Sequence, residues 1–215
     1  MEGKHGDTAE NYRQIRNRYL SEVYARSLEE LEISIPGVRE EALFHFEAFG
    51  EKCLLSKEEV VLAGVPANGP EGLLVAMYAS TARDLPIRLQ PLKSFKELPN
   101  SMPYQGAFHI NAERALIDYV PIIQLHQHDI AARFSGHVNS DHTSGDFSLT
   151  LYPLPRVPLY YIFHLSDEEF PAAATCLFAA NALDFMPLAG LADVAEYTAK
   201  RMIVLLKGLS VQKPD

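Results

Sequence analysis

Residues 156–171 read RVPLYYIFHLSDEEFP, an apolar run that stops at three consecutive carboxylates. Both faces of the run from Val157 to Leu165 are apolar, since successive side chains of a strand point to opposite sides. A strand of this kind is typical of the centre of a sheet that is covered on both faces. Pro158 has no amide donor, so we expect the first residues to lie outside the hydrogen-bonded ladder. The stretch therefore predicts a central strand.

The acidic run after this strand permits two interpretations. Ser166 and Glu169 have the S-x-x-E form of a helix cap, which predicts that the run ends the strand and begins a helix after Pro171. Adjacent carboxylates also repel one another unless they are solvated, paired with a cation or bound to a metal. The second hypothesis is a ligand- or cation-binding site, whose candidate residues are Asp167, Glu168, Glu169, Phe170 and Arg156. The pattern favours the capping interpretation.

The rest of the pattern indicates one α+β domain over residues 1–215. Apolar residues at helical spacing predict an N-terminal helix over 8–31 and a C-terminal helix with one apolar face from Leu191 to Leu205. Alternating residues on either side of Gly50 predict a hairpin. Strands and helices do not alternate regularly, so we expect a mostly antiparallel sheet with packed helices. The core is expected over about 44–202, with short flexible ends.

The charge and the cysteine content exclude several classes of protein. A formal net charge of -9 would repel a phosphate backbone, so nucleic-acid binding is disfavoured. Two cysteines, Cys53 and Cys176, cannot supply a four-thiolate zinc or iron–sulphur site. No window approaches the roughly 18 apolar residues of a membrane span, and the polar N-terminus has no apolar signal core. We therefore expect free thiols in a cytoplasmic protein.

Six of the eight histidines lie between His109 and His164, which raises the question of a metal site. Imidazole and carboxylate are usual ligands of zinc, iron and nickel. The candidates in this region are His126, His128, His137, Asp141 and His142. His126 and His128 share a face only on extended backbone, and the surrounding pattern is helical. Scattered histidines are therefore the simpler interpretation, with a divalent-metal site as the alternative.

Two segments of the chain resemble a known family. SFKELP at Ser94–Pro99 and the strand that ends in SDEEFP at Ser166–Pro171 are similar to segments of the bacterial domain of unknown function 3786. The resemblance covers about Phe44 to Met202. It implies an uncharacterised family, found largely in anaerobic bacteria and archaea, in which some members carry a four-cysteine iron–sulphur segment also seen in corrinoid-linked proteins. This chain lacks that segment and has no tryptophan, so any corrinoid or iron–sulphur link is implied by association alone.

The motifs of common enzyme classes are absent from the sequence. There is no G-x-G-x-x-G, no Walker-type G-x-x-x-x-G-K and no G-x-S-x-G. We therefore expect a binding or accessory protein without catalysis of its own, which holds an unknown small ligand or cofactor or docks on a protein partner. One alternative is a metal-dependent, hydrolase-like enzyme that uses the histidine and aspartate cluster of 126–142. Another is a structural subunit of an oligomer.

Overall fold

The computed structural model describes residues 3–140 and 145–211. The chain begins with two helices, α1 (Gly3–Val23) and α2 (Leu28–Ser34), and continues into a first antiparallel sheet. The strands of this sheet follow one another in chain order: β1 (Val38–Glu40), β2 (Leu43–Ala48), β3 (Glu51–Leu55), β4 (Val60–Leu62) and β5 (Val65–Pro66). The hairpin predicted around Gly50 is the β2–β3 pair and is confirmed.

A second antiparallel sheet has the strand order β6-β10-β9-β8-β7. Its strands are β6 (Lys93–Ser94), β7 (His137–Val138), β8 (Phe147–Leu154), β9 (Val157–His164) and β10 (Ala173–Phe178). The helices around the two sheets are α3 (Pro70–Thr81), α4 (Gln105–Phe108), α5 (Val120–Leu125), α6 (Gln127–Arg133) and α7 (Leu188–Val211). Between them lie a π-helix (His109–Glu113) and 3₁₀ helices at Phe95–Glu97, Met102–Tyr104, Arg114–Tyr119 and Ala182–Asp184.

The strand predicted from the sequence to be central is β9, and the structure confirms this position. It pairs with β10 on one side and β8 on the other. Tyr161 and Phe163 are fully buried, and the Tyr161 hydroxyl lies 3.4 Å from the carbonyl of Ala195 in α7. The β8–β9 register shifts between Leu151 and Leu154, opposite Pro158. The expectation that the first residues lie outside the ladder is nevertheless wrong, because Val157 pairs with Leu154 beyond the shift. The α+β class with antiparallel sheets and packed helices is thus confirmed.

The prediction of one N-terminal helix over 8–31 is wrong, because the helix is broken after Val23. Ser27 is the cap of a new helix: its hydroxyl accepts a hydrogen bond from the Glu30 amide at 3.1 Å. The first helix begins at Gly3, ahead of the predicted cap at Asp7. The two helices nevertheless bury Leu20, Val23 and Leu31, which is why their apolar spacing predicted a helical region.

The prediction that the acidic run begins a helix is also wrong. Residues 165–172 form the turn between β9 and β10, and β10 begins at Ala173. The S-x-x-E pattern does not distinguish a helix start from a turn between two strands. In both structures a side-chain oxygen can accept hydrogen bonds from backbone amides. No helix in the described ranges is long and apolar enough to cross a membrane.

Candidate functional site

A cavity of about 300 Å³ lies where the second sheet meets the helices that follow β6. β6 pairs with Leu177 and Phe178 at the end of β10, and Glu113 of the π-helix accepts the Cys176 amide of β10. We call this cavity the π-helix pocket. It is lined by Ser94, Phe95, Lys96, Gln105, Phe108, His109, Glu113 and Thr175. Three separate parts of the chain therefore converge on one cavity.

Three phenylalanines form an aromatic cluster at the pocket. The rings of Phe95 and Phe108 stack at a centroid distance of 4.2 Å with an interplanar angle of 8°. Phe178 of β10 packs against both, at 5.9 Å from Phe95 and 5.8 Å from Phe108. All three side chains are buried. The cluster is a rigid apolar wall, because buried aromatic rings in contact have little freedom to move.

The segment Ser94–Glu97 is fixed by a reciprocal cap. The Glu97 carboxylate accepts hydrogen bonds from the Ser94 hydroxyl at 2.5 Å and from the Ser94 amide at 2.8 Å. These two donors, helped by Lys96 and Lys93, lower the pKa of the Glu97 carboxyl. The cap begins the short 3₁₀ helix that places Phe95 in the core and leaves Lys96 exposed at the pocket. The SFKELP segment therefore serves to start this 3₁₀ helix and to position Phe95 and Lys96.

Helix α4 and the π-helix that continues it give the pocket its polar side. Gln105, His109 and Glu113 follow at intervals of four residues and all line the cavity. One oxygen of Glu113 lies 2.9 Å from Nδ1 of His109, and the other accepts the Cys176 amide at 3.1 Å. A carboxylate can only accept, so His109 donates from Nδ1 and its Nε2 is left for another partner. π-turns within helices occur frequently at functional sites, and this one holds an oriented histidine.

The thiol next to the pocket lies in an environment that disfavours its thiolate form. Cys176 is fully buried, and burial together with the nearby Glu113 carboxylate raises the pKa of its thiol. Burial also raises the pKa of the neighbouring Tyr161 hydroxyl. A thiol acts as a nucleophile through its thiolate, and this environment opposes the charged form. Both cysteines of the chain are free, as predicted from the sequence.

The acidic run predicted as a binding site forms an ordered and exposed turn. One oxygen of Asp167 accepts the amides of Phe170 at 2.7 Å and Glu169 at 2.8 Å, and these two bonds lower the pKa of its carboxyl. Glu168, Glu169 and Phe170 are exposed. Asp167 therefore shapes the turn, and the binding role of the run stays a prediction.

Replacing Asp167 with alanine is expected to lower the melting temperature at pH 7 and to have no such effect at low pH. The lowered pKa in the folded state means that the carboxylate stabilises the fold above the ordinary aspartate pKa of about 3.9, and that this stability is lost as the pH falls. Melting curves of wild type and variant between pH 7 and about pH 2 test this, because the contribution is lost only as the pH falls through the folded-state pKa. Glu168→Ala is the matched control, and an equal pH-dependent loss in that variant would contradict the role of Asp167.

Arg156 lies immediately before β9, at the opposite end of the strand from the acidic turn. Its guanidinium donates to the carbonyls of Ile33 at 2.7 Å, Leu85 at 2.8 Å and Ser34 at 2.9 Å. The structure therefore does not bring Arg156 together with the carboxylates. Its donors join the end of α2 to the segment after α3 and to the second sheet.

The histidines considered as metal ligands are spread along the chain. His126 lies between α5 and α6 with its Nδ1 3.2 Å from Asp129, His128 is on α6, and His137 is exposed on β7. Within 3–140 and 145–211 there is no group of three or more His, Cys, Asp or Glu side chains that could hold a metal ion. Asp141 and His142 lie outside the described residues, so the metal site stays a prediction.

Sequence reasoning missed the π-helix pocket as a site. It identified SFKELP as similar to a family segment, but it did not assign a role to Lys96, His109 or Glu113. The one local signal was a histidine and a glutamate four residues apart, which can meet on one helix face. Thr175 is remote in sequence and comes to the pocket through the pairing of β10 with β6 and the bond between Glu113 and the Cys176 amide.

The comparisons with known proteins identify a family. No curated protein and no solved structure gives a match to this chain. A family model described as "Domain of unknown function (DUF3786)" matches residues 25–201, which include the π-helix pocket and the acidic turn. The links to anaerobes, corrinoids and iron–sulphur segments are not part of that description and stay predictions. The chain belongs to the family of the domain of unknown function DUF3786.

Proposed function

We propose that this chain is a small-molecule-binding protein whose ligand is a compact organic anion with a flat ring, held in the π-helix pocket. The observation that carries the proposal is the convergence of Lys96 and an oriented His109 on one cavity with an aromatic wall. Ligand sites are concave, mostly apolar and equipped with a few placed polar groups. The pocket has these properties.

Lys96 is the cationic side chain that would meet an anionic group of the ligand. Lys96 has no carboxylate within ion-pair distance among the described residues, although the chain as a whole carries a net charge of -9. Glu113 is the one carboxylate in the lining, and its two oxygens are already used by His109 and by the Cys176 amide. A ligand carboxylate or similar group would therefore meet donors from Lys96 and Thr175, while Nε2 of His109 accepts a hydrogen bond from a polar substituent of the ligand.

The size of the pocket limits the ligand. Its volume of about 300 Å³ is at the lower end of the range for small-molecule sites, roughly 300–1,000 Å³. A single ring with one or two substituents fits this space better than a corrinoid macrocycle. The family-associated corrinoid link therefore receives no support from this pocket.

Binding is favoured over catalysis because the pocket has no activated nucleophile. Cys176 is buried with a raised thiol pKa. The Ser94 hydroxyl donates to Glu97, and neither it nor the Thr175 hydroxyl has a hydrogen bond to His109 in the described part of the chain. We retain a cytoplasmic location as part of the proposal, since two free buried thiols suit a reducing compartment.

Filling the pocket is expected to abolish binding of a probe anion. Benzoate is a suitable probe, with benzamide as the neutral molecule of the same shape, and isothermal titration or ligand-observed NMR measures both. Gln105→Trp places an indole in the cavity, so we expect no measurable benzoate binding. Lys96→Gln is expected to weaken benzoate binding about tenfold while leaving benzamide binding unchanged, because one charge-assisted hydrogen bond is lost.

The matched control is Ala107→Trp on the same helix, at an exposed position outside the pocket. This variant should bind benzoate as wild type does. Melting curves of both tryptophan variants show whether either one has lost its fold. Equal benzoate affinity in folded wild type, Gln105→Trp and Ala107→Trp would contradict the proposed site.

A further inference from the structure

A second group of cavities lies between the first sheet and helices α6 and α7. A cavity of about 140 Å³ and a neighbouring one of about 400 Å³ share Phe49, Glu51 and Arg201 in their linings. Arg133, Phe134, Val204 and Leu205 complete the smaller cavity. We call the smaller cavity and its junction with the larger one the arginine groove. None of its residues lines the π-helix pocket.

Two arginines in the groove share one carboxylate oxygen. Oε1 of Glu51 on β3 accepts from Arg133 at 2.5 Å and from Arg201 at 2.7 Å. Arg133 ends α6 against the β2–β3 turn, where Gly50 has a φ of +74°. A Cβ at Gly50 would lie 2.9 Å from the Arg133 carbonyl, so glycine is needed for this close approach.

The shared carboxylate leaves one positive charge uncompensated. Each guanidinium has five N–H donors in a planar fork. Glu51 is the one hydrogen-bond partner of both arginine side chains within the described residues. The Arg133 and Arg201 side chains are 47% and 35% exposed, so their remaining donors are accessible to a small molecule. By comparison, Arg26 and Arg39 form ion pairs with separate glutamates, Glu30 and Glu32.

The groove also has an apolar side next to the charge. Phe49 and Phe134 are buried beneath it, whereas Val204 on α7 is 60% exposed. An exposed valine and a leucine beside an arginine pair offer apolar surface to the body of a ligand whose acidic group faces the guanidinium forks. Glu71 lines the larger cavity and would repel an anion there, so the acidic group belongs in the smaller one.

We propose that the arginine groove is a second binding site, for a small aliphatic carboxylate. The carboxylate accepts hydrogen bonds from Arg133 and Arg201, and the aliphatic chain covers Val204 and Leu205. One uncompensated positive charge matches a monoanion rather than a dianion. The site is independent of the ligand proposed for the π-helix pocket, since the two linings share no residue.

The test uses hexanoate as the probe, and titration calorimetry or ligand-observed NMR with the full chain as the measurement. Arg201→Gln is expected to weaken hexanoate binding about tenfold, because a charge-assisted hydrogen bond is lost. Glu51→Gln is expected to strengthen it several-fold, because the two arginines lose the carboxylate that competes with the ligand. Hexanamide has no charge, so its affinity for Arg201→Gln and for Glu51→Gln should equal its affinity for wild type.

Two further measurements separate this site from the π-helix pocket and from a structural role. Gln105→Trp should leave hexanoate binding unchanged, whatever its effect on benzoate. A purely structural ion-pair network predicts that Glu51→Gln lowers the melting temperature without improving hexanoate binding, and that result would overturn the proposal. Saturable binding of inorganic phosphate in place of hexanoate would overturn the assignment to a carboxylate.

Discussion

Replacing Phe178 with alanine is expected to lower the free energy of unfolding by about 3–5 kcal/mol, the range for buried phenylalanine in a packed core. Phe178 is fully buried on β10 and packs against both Phe95 and Phe108. The truncation removes one of the three rings of the aromatic wall and leaves a cavity in it. Urea denaturation measures the change, and loss of benzoate binding should accompany it in the protein that remains folded.

Phe170→Ala is the matched control for this variant. Phe170 lies in the β9–β10 turn and its side chain is 66% exposed. Its replacement should change the free energy of unfolding by no more than about 0.5 kcal/mol, as is usual at exposed positions. A similar cost for the two variants would contradict the view that the aromatic cluster is the rigid wall of the pocket.

Replacing Arg156 with methionine is expected to lower the free energy of unfolding by about 3 kcal/mol, the upper range for loss of hydrogen bonds to a charged group. The Arg156 side chain is only 15% exposed, and its three donor nitrogens bond to carbonyls of Ile33, Ser34 and Leu85. Methionine keeps much of the apolar volume but leaves these carbonyls without their donors.

Arg18→Met on α1 is the control for Arg156→Met. The Arg18 side chain is 79% exposed and forms an i,i+4 pair with Glu22, so its loss should cost no more than about 0.5 kcal/mol. Urea denaturation of the two variants gives the comparison. If Arg156 were instead a ligand-binding residue, as the sequence suggested, its variant would lose ligand binding at nearly unchanged stability.

The parts of the fold that sequence predicted well are those with a strong apolar period. Examples are the central β9, the β2–β3 hairpin and the apolar face of α7. In each of them, neighbouring elements bury the side chains whose apolar spacing predicted the element. The break after Val23 was missed, since a serine cap interrupts the helix without interrupting the apolar spacing. The turn at Asp167 was missed because local residues do not encode the pairing of β9 with β10.

The candidate site was harder to predict than the fold. Its lysine falls in a short 3₁₀ helix and its histidine and glutamate in a π-helix, so the spacing follows no single period. Thr175 and the Cys176 amide come from β10, and Cys176 follows Glu113 by 63 residues in the chain. Tertiary pairing brings these groups together, and a single sequence contains no direct record of it. The histidine-rich segment 126–142 attracted attention through residue type alone.

The most direct test of the proposed function is an amide chemical-shift titration of the isotope-labelled chain with benzoate, with benzamide as the neutral reference. The proposal predicts saturable shifts centred on residues 94–96, 105–113 and 175, larger for benzoate than for benzamide, and absent in Gln105→Trp. Shifts centred on another surface, or none at millimolar benzoate, would contradict a ligand site in the π-helix pocket.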